Sequence, residues 1–204
     1  MLLELHDVSK RFEKKEVIAS ATLSVGAGEI LCLTGPSGIG KTTLLEIMAG
    51  VISPDSGTVT RHAKPALMFQ DNVLIPWLTA EANITYILPA DMPKKEMAET
   101  AGMWLEFFGL EKTQYPSAMS GGMRRRLSLA RTFASGRPLL LLDEPYAFLD
   151  ESWQEKIMME IASSVQKGST VILTSHTTVF LELSCFAQIP YRIVTLAESP
   201  LVIK

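Results

Sequence analysis

Residues 35 to 42 read GPSGIGKT, and no other stretch of the chain restricts its fold as strongly. Gly35, Gly38 and Gly40 let the backbone curl so that successive N–H groups point into one cavity. Before the loop, Glu29 to Thr34 is short and almost continuously apolar, the pattern of a strand covered on both faces. After it, Thr42 to Ala49 has helical spacing and Gly50 supplies a stop. A strand that feeds a glycine loop and then a helix N-terminus makes an anion site, because loop amides and helix dipole present positive charge to the same point. The match to GxxxxGK[ST] is complete. Pro36, Ser37 and Ile39 supply the remaining loop backbone, Lys41 a formal charge for the β- and γ-phosphates, and Thr43 a further phosphate contact. Thr42 offers a hydroxyl to Mg²⁺. ATP and Mg²⁺ are therefore the expected ligands, and a plain helix-capping glycine turn is the bland alternative.

Residues 139 to 144 read LLLLDE. A buried strand here pushes two carboxylates out of its C-terminal end, where ligands bind in open α/β sheets. Asp143 is the candidate Mg²⁺ partner, direct or through water. Glu144 is the candidate base that polarises an attacking water. Solvated carboxylates after a strand are the alternative; the phosphate loop upstream favours the catalytic reading.

Strand patterns cover Leu2 to His6, Val17 to Val25, Gly57 to Thr60, Ala66 to Phe69, Thr170 to Thr174 and Tyr191 to Leu196. Helical patterns cover Gly121 to Ala134 and Glu151 to Gln166. Strands alternating with helices argue for a parallel sheet. From Thr79 to about Ser117 the pattern is helical, with Met97, Ala101, Trp104, Leu105 and Phe108 on one face and Pro89, Pro93 and Pro116 as punctuation. The expected organisation is one α/β domain over 1–204, its core formed by 1–78 and 119–204, with a helical subdomain inserted at about 79–118.

Charge and composition exclude several classes. With 204 residues, 47% hydrophobic and 20% charged, the chain suits one globular domain. A net charge of -3 gives no basic field for nucleic acid. Apolar stretches fall short of the roughly 18–20 residues that span a bilayer, so a membrane role requires a partner. Cys32, inside Ile30-Leu31-Cys32-Leu33, reads as buried packing. With Cys185 the only other cysteine, no metal cluster is indicated, and a reducing cytoplasm is the simplest setting.

Ser120-Gly121-Gly122-Met123, followed by RRRLSLAR, resembles the signature motif and helix of ABC transporter ATPases. Physically it is a second helix N-terminus able to take an anion. The resemblance implies a P-loop NTPase core with a mostly parallel sheet, an N-terminal antiparallel β subdomain and an inserted α-helical subdomain. It implies ATP hydrolysis by a homodimer with two ATPs sandwiched head to tail, the signature of each copy facing the other's nucleotide. Other residues match the family in order. Phe12 stands where an aromatic stacks on adenine; a core aromatic at a strand end is its other reading. Gln70 matches the glutamine that contacts Mg²⁺ and water. Asp150 matches the aspartate of the subunit-crossing loop. His176 matches the switch histidine that reaches the γ-phosphate.

Residues 69 to 79, FQDNVLIPWLT, and the SGGM signature are similar to the importers of nitrate, taurine and aliphatic sulfonates, with thiamine-precursor importers sharing these features. That resemblance implies a transmembrane permease, a periplasmic or lipid-anchored solute-binding protein acting indirectly, and a cytoplasmic position on the inner face of the membrane. Trp77 with Leu74 to Pro76 would form part of the groove for a cytoplasmic helix of the permease; local core packing is the other reading. Met119 and Phe148 depart from the family pattern, as does the segment after His176, which lacks the acidic residues usual there. The chain is expected to stop soon after its last strand, with no C-terminal regulatory domain. Arg124 to Arg126 read as the exposed face of the signature helix. An exporter ATPase, a non-transport ABC ATPase and a small-molecule kinase are the competing functions. A kinase lacks the SGG signature; the non-transport relatives carry tandem cassettes or coiled-coil arms.

Overall fold

The computed structural model describes residues 1–176, 186–197 and 199–203. In chain order the strands are β1 (Leu3–Phe12), β2 (Lys15–Val25), β3 (Ile30–Thr34), β4 (Ser56–Arg61), β5 (Pro65–Met68), β6 (Leu139–Leu142), β7 (Thr170–Ser175), β8 (Tyr191–Thr195) and β9 (Leu201–Ile203). The helices are α1 (Lys41–Ala49), α2 (Ala80–Thr85), α3 (Lys94–Phe107), α4 (Gly121–Ala134) and α5 (Glu151–Gln166). None of the described helices is long and apolar enough to cross a membrane. The chain divides into two compact units: Met1–Gln70 with Arg137–Pro145 and Ser152–Lys204, and Asp71–Gly136 with Tyr146–Glu151.

The first unit holds two sheets. One is five-stranded and parallel throughout, in the order β5-β6-β7-β3-β8. Its central strands are covered on both faces, which is why β6 is four leucines, each at most 3% exposed. The second sheet has the order β4-β1-β2-β9. Leu3, Leu5, Leu31, Leu33, Leu44, Leu45 and Ile172 share one hydrophobic core with both sheets and α1. Fully burying each of these side chains contributes about 1.5–3 kcal/mol relative to leaving it in water. Cys32 is buried in β3, and burial pushes its thiol pKa up to about 12, so it is inert packing. Cys185 lies outside the described residues.

Two features of the second sheet depart from the sequence pattern. Strand β1 runs to Phe12 rather than ending near His6, because bulges shift its register between Leu5 and Val8 and again after Val8. Its buried residues are Leu3, Leu5 and then Val8, a step of three that breaks the alternation. Asp7 adopts φ 47 at the bulge, and Gly57 of β4 packs against it. A Cβ on Gly57 would lie 2.4 Å from the Asp7 carbonyl oxygen, at a φ of 81. Gly57→Ala is expected to destabilise the fold by more than about 1 kcal/mol, read as a lower chemical-denaturation midpoint with an unchanged m-value. The second departure is β9: the chain does not stop soon after β8 but returns to pair in parallel with β2, Ile18 opposite Leu201 and Ala21 opposite Ile203.

The second unit packs α2, α3 and α4 together. Trp104 and Phe108 of the apolar face of α3 and its C-cap stack with Phe133 of α4, with Trp104–Phe133 centroids 5.4 Å apart. This unit is wider than residues 79–118: it starts at Asp71 and includes the whole of α4. The arginine run of α4 is not an exposed basic face. Arg125 is fully buried and donates to Asn72 Oδ1 at 3.4 Å. Arg124 donates to the Met119 carbonyl at 2.7 Å and Arg126 to the Phe108 carbonyl at 2.5 Å. These guanidiniums satisfy carbonyls within the unit, which is what five-donor side chains do best in a crowded helical junction.

Candidate active site

The phosphate loop leaves β3 and enters α1. Gly40 is the N-cap of α1 with φ 111, and no side chain caps that helix end. The first-turn amides therefore point out of the helix without a side-chain acceptor. The glycines are fixed by close packing as well as by backbone conformation. A Cβ on Gly35 would lie 2.4 Å from the Leu196 carbonyl oxygen. A Cβ on Gly40 would lie 3.0 Å from Val17 Cγ1 and 3.6 Å from Leu201 Cδ1. Ile39 turns its side chain into the core and contributes only backbone to the loop.

Lys41 is 5% exposed and donates to the carbonyls of Gly35 at 2.7 Å and Pro36 at 3.0 Å. Burial lowers its pKa, and the charges of Glu144 and Asp143 oppose that shift. A cavity of about 270 Å³ is lined by Phe12, Val17, Ser37, Gly38, Gly40, Lys41, Thr42, Thr43, Gln70 and Glu144. Phe12 is 45% exposed there, so it is not a core aromatic.

Asp143 and Glu144 leave the end of β6 as the leucine run leads one to expect. Asp143 is 2% exposed. Its Oδ2 accepts from Thr42 Oγ1 at 2.6 Å and its Oδ1 from Thr174 Oγ1 at 2.5 Å. The same Thr174 hydroxyl accepts from the Glu144 backbone N–H at 2.8 Å. Thr174, at the end of β7, thus ties both acidic residues to the neighbouring strand. Sequence reasoning passed over it, although a hydroxyl closing the apolar run Val171-Ile172-Leu173 was a legible signal. Val17, which lines the cavity from β2, carried no such signal. Glu144 adopts φ 47, a left-handed conformation costing a non-glycine residue on the order of 1–3 kcal/mol. Its Oε1 lies 2.7 Å from His176 Nε2. Gln70 Oε1 lies 3.5 Å from Thr42 Oγ1.

The Asp143 carboxylate, the Thr42 hydroxyl and the Gln70 amide oxygen form a hard-oxygen donor set. Such donors fit Mg²⁺, which takes one or two carboxylates plus substrate phosphates and water. Among the described residues no cluster of three or more His, Cys, Asp and Glu forms a separate metal site.

Ser120, Gly121, Gly122 and Asp150 belong to the second unit. Ser120 is the N-cap of α4, its Oγ accepting from the Met123 N–H at 3.2 Å. A Cβ on Gly122 would lie 3.2 Å from the Phe148 carbonyl oxygen. Phe148 itself has φ 65 and is 81% exposed, and Asp150 is exposed two residues on. The residues that follow His176 and depart from the family pattern, 177–185, lie outside the described residues.

Residues 18–147 match the family model described as ABC transporter. The chain is 38% identical over 189 residues to the sulfate/thiosulfate import ATP-binding protein CysA 2 of Chromobacterium violaceum, covering 85% of this chain and 51% of that protein. It is 36% identical to the taurine import ATP-binding protein TauB of the same species, covering 95% of this chain and 81% of that one. The chain thus spans about half the length of some of the curated relatives it matches. The dimeric post-hydrolysis structure of the ATP-binding cassette MJ0796 bound to ADP and Pi superposes with a TM-score of 0.84 at 26% identity, covering 95% of this chain and 94% of that one.

Proposed function

The chain belongs to the ABC transporter family, and from that premise we propose that it is the ATP-hydrolysing subunit of an importer for a small solute. The taurine, aliphatic sulfonate and sulfate relatives support uptake of a sulfonate- or sulfate-like solute, while nitrate and thiamine-precursor-like solutes rest on the sequence resemblance of residues 69 to 79 alone. The observation that carries the hydrolytic reading is a cavity beside the glycine loop lined by Lys41, Thr42 and Glu144, with Asp143 bonded to Thr42 and His176 at hydrogen-bond distance from Glu144.

In this reading Lys41 and the backbone N–H groups of Ser37 to Thr43 hold the triphosphate. Phe12 stacks on the base. Thr42, Gln70 and Asp143 would hold Mg²⁺, which would supply positive charge to offset that of the phosphates. Glu144 accepts a hydrogen bond from the attacking water and orients it toward the γ-phosphorus. His176, at hydrogen-bond distance from that carboxylate, fixes its direction and reaches the γ-phosphate. Catalysis is then mainly positioning and charge stabilisation.

Ser120, Gly121 and Gly122 of a second copy close on the same triphosphate, and Asp150 lies in the loop that crosses between copies. The dimeric relatives and the N-terminus of α4 support this, since its first turn carries no acidic residue to compete with an anion. The γ-phosphate bridges loop and signature before hydrolysis and not after it, so the dimer closes on ATP and opens on ADP. Measuring phosphate release from Mg-ATP, with and without candidate acceptors, tests the reaction. Release to water at the same rate in both supports a transport ATPase; transfer to an acceptor would make the chain a kinase.

The permease is proposed to dock on the 72–79 segment. Trp77 is 75% exposed there, which argues against core packing for that residue, while Leu74 and Ile75 are half-buried. Asn83, fully buried, accepts from the Ile75 N–H and donates to the carbonyls of Ile75, Leu78 and Thr79, all at 2.8–3.1 Å. An exposed tryptophan on a loop pinned this firmly is suited to insertion in a partner's pocket. Trp77→Ala is expected to leave hydrolysis by the isolated chain unchanged. It should weaken binding to the reconstituted permease by about 30-fold, the equivalent of the roughly 2 kcal/mol of an interface hot spot.

A further inference from the structure

Phe12 does not stand alone at the edge of the cavity. The Lys10 ammonium lies over its ring, 5.5 Å from the centroid. That ammonium is not a loose surface charge: the Lys10 side chain is only 14% exposed. It donates to Asp55 Oδ1 at 2.8 Å and to the Ser53 carbonyl at 2.9 Å. The other oxygen of Asp55 accepts from the Arg11 N–H at 2.7 Å, and the Asp55 N–H donates to the Ser9 carbonyl at 2.9 Å. One aspartate thus holds both the backbone and the side chain of the strand end that carries Phe12. The carboxyl of Asp55 is kept below its usual range chiefly by its hydrogen bond from Lys10. Residues 53–55 leave the C-terminal end of α1, the helix that starts at Lys41. The clamp therefore ties the aromatic ring to the segment that joins α1 to β4.

We propose that Lys10, clamped by Asp55 and the Ser53 carbonyl, is a positioning residue that covers one face of the Phe12 ring and leaves the other for the nucleotide base. This rests on the reading of Phe12 as the base-stacking ring. A cation held on one face fixes the ring's orientation and excludes the base from that face. It also draws π-density toward itself, which favours an electron-rich purine on the opposite face. Neither Lys10 nor Asp55 lines the cavity, so their effect on nucleotide binding runs through the ring.

The test uses titration of the full chain with a non-hydrolysable Mg-ATP analogue and, in parallel, with Mg-tripolyphosphate, which has no base. Phe12→Ala is expected to weaken the nucleotide by about tenfold and leave tripolyphosphate unchanged. Lys10→Met and Asp55→Asn should each weaken the nucleotide by about threefold to tenfold, again sparing tripolyphosphate. Lys10→Arg, whose guanidinium can both reach Asp55 and lie over the ring, should restore most of the loss. In the Phe12→Ala background Lys10→Met should have no further effect. If Phe12→Ala weakens both ligands equally or neither, the stacking reading itself fails. If Phe12→Ala behaves as expected while Lys10→Met binds like the parent, or loses tripolyphosphate as much as nucleotide, the Lys10 inference is overturned and the stacking reading stands.

Discussion

Replacing Glu144 by glutamine is expected to lower ATP turnover by about 100- to 10,000-fold, the usual worth of a positioned general base. Binding of ATP should survive, because Glu144 contributes no donor to the phosphates. The amide keeps the size of the carboxylate, and the backbone N–H of residue 144 still donates to Thr174 Oγ1, so the left-handed turn after β6 persists. An amide is a far weaker proton acceptor than a carboxylate, and it loses the charge paired with His176 Nε2. The variant should accumulate as an ATP-bound dimer on size-exclusion chromatography, since closure precedes the blocked step. Turnover near that of the parent would remove Glu144 from the role of base.

Lys41→Met should act one step earlier and weaken nucleotide binding rather than chemistry. The ammonium is 5% exposed and hydrogen-bonded to two loop carbonyls. Removing one partner of a buried, hydrogen-bonded charge pair costs on the order of 2–5 kcal/mol. ATP affinity should therefore fall by about 30- to several thousand-fold. Methionine fills the same volume without donors, so a melting temperature close to the parent's would show that the loss is local. In contrast to Glu144→Gln, little dimer should form at an ATP concentration that just saturates the parent. A variant that still closes on ATP would show that the loop amides carry the grip without the lysine.

These two residues were readable from the sequence because their chemistry is fixed by spacing along one segment: a loop between strand and helix, and a carboxylate pair ending a leucine run. The parallel sheet was legible for the same reason, its buried strands being unbroken apolar runs. Where long-range packing decides, the pattern was silent. The extension of β1 past His6 depends on a bulge that Gly57 of another strand accommodates. β9 is three residues long, and its place beside β2 follows from tertiary pairing rather than from any local propensity. The arginine run of α4 was misread because charge suggests solvent, whereas its guanidiniums serve carbonyls of Met119 and Phe108 and the amide of Asn72. Thr174 and Asn83, each a single polar residue bound to several backbone or acidic groups, show how buried hydrogen-bond hubs escape a reading based on periodicity.

The backing of the glycine loop has a consequence for the order of events on the ribosome. Gly35 rests against Leu196, and Gly40 faces Leu201 of β9. The loop is synthesised before the surfaces that hold it in shape, which come from the segment after β8. A nascent chain that has not yet reached Leu196 carries Lys41 and the loop glycines and still lacks the wall they lean on. A loop without that wall is expected to hold its curled shape less firmly, so nucleotide capture should follow the synthesis of β9.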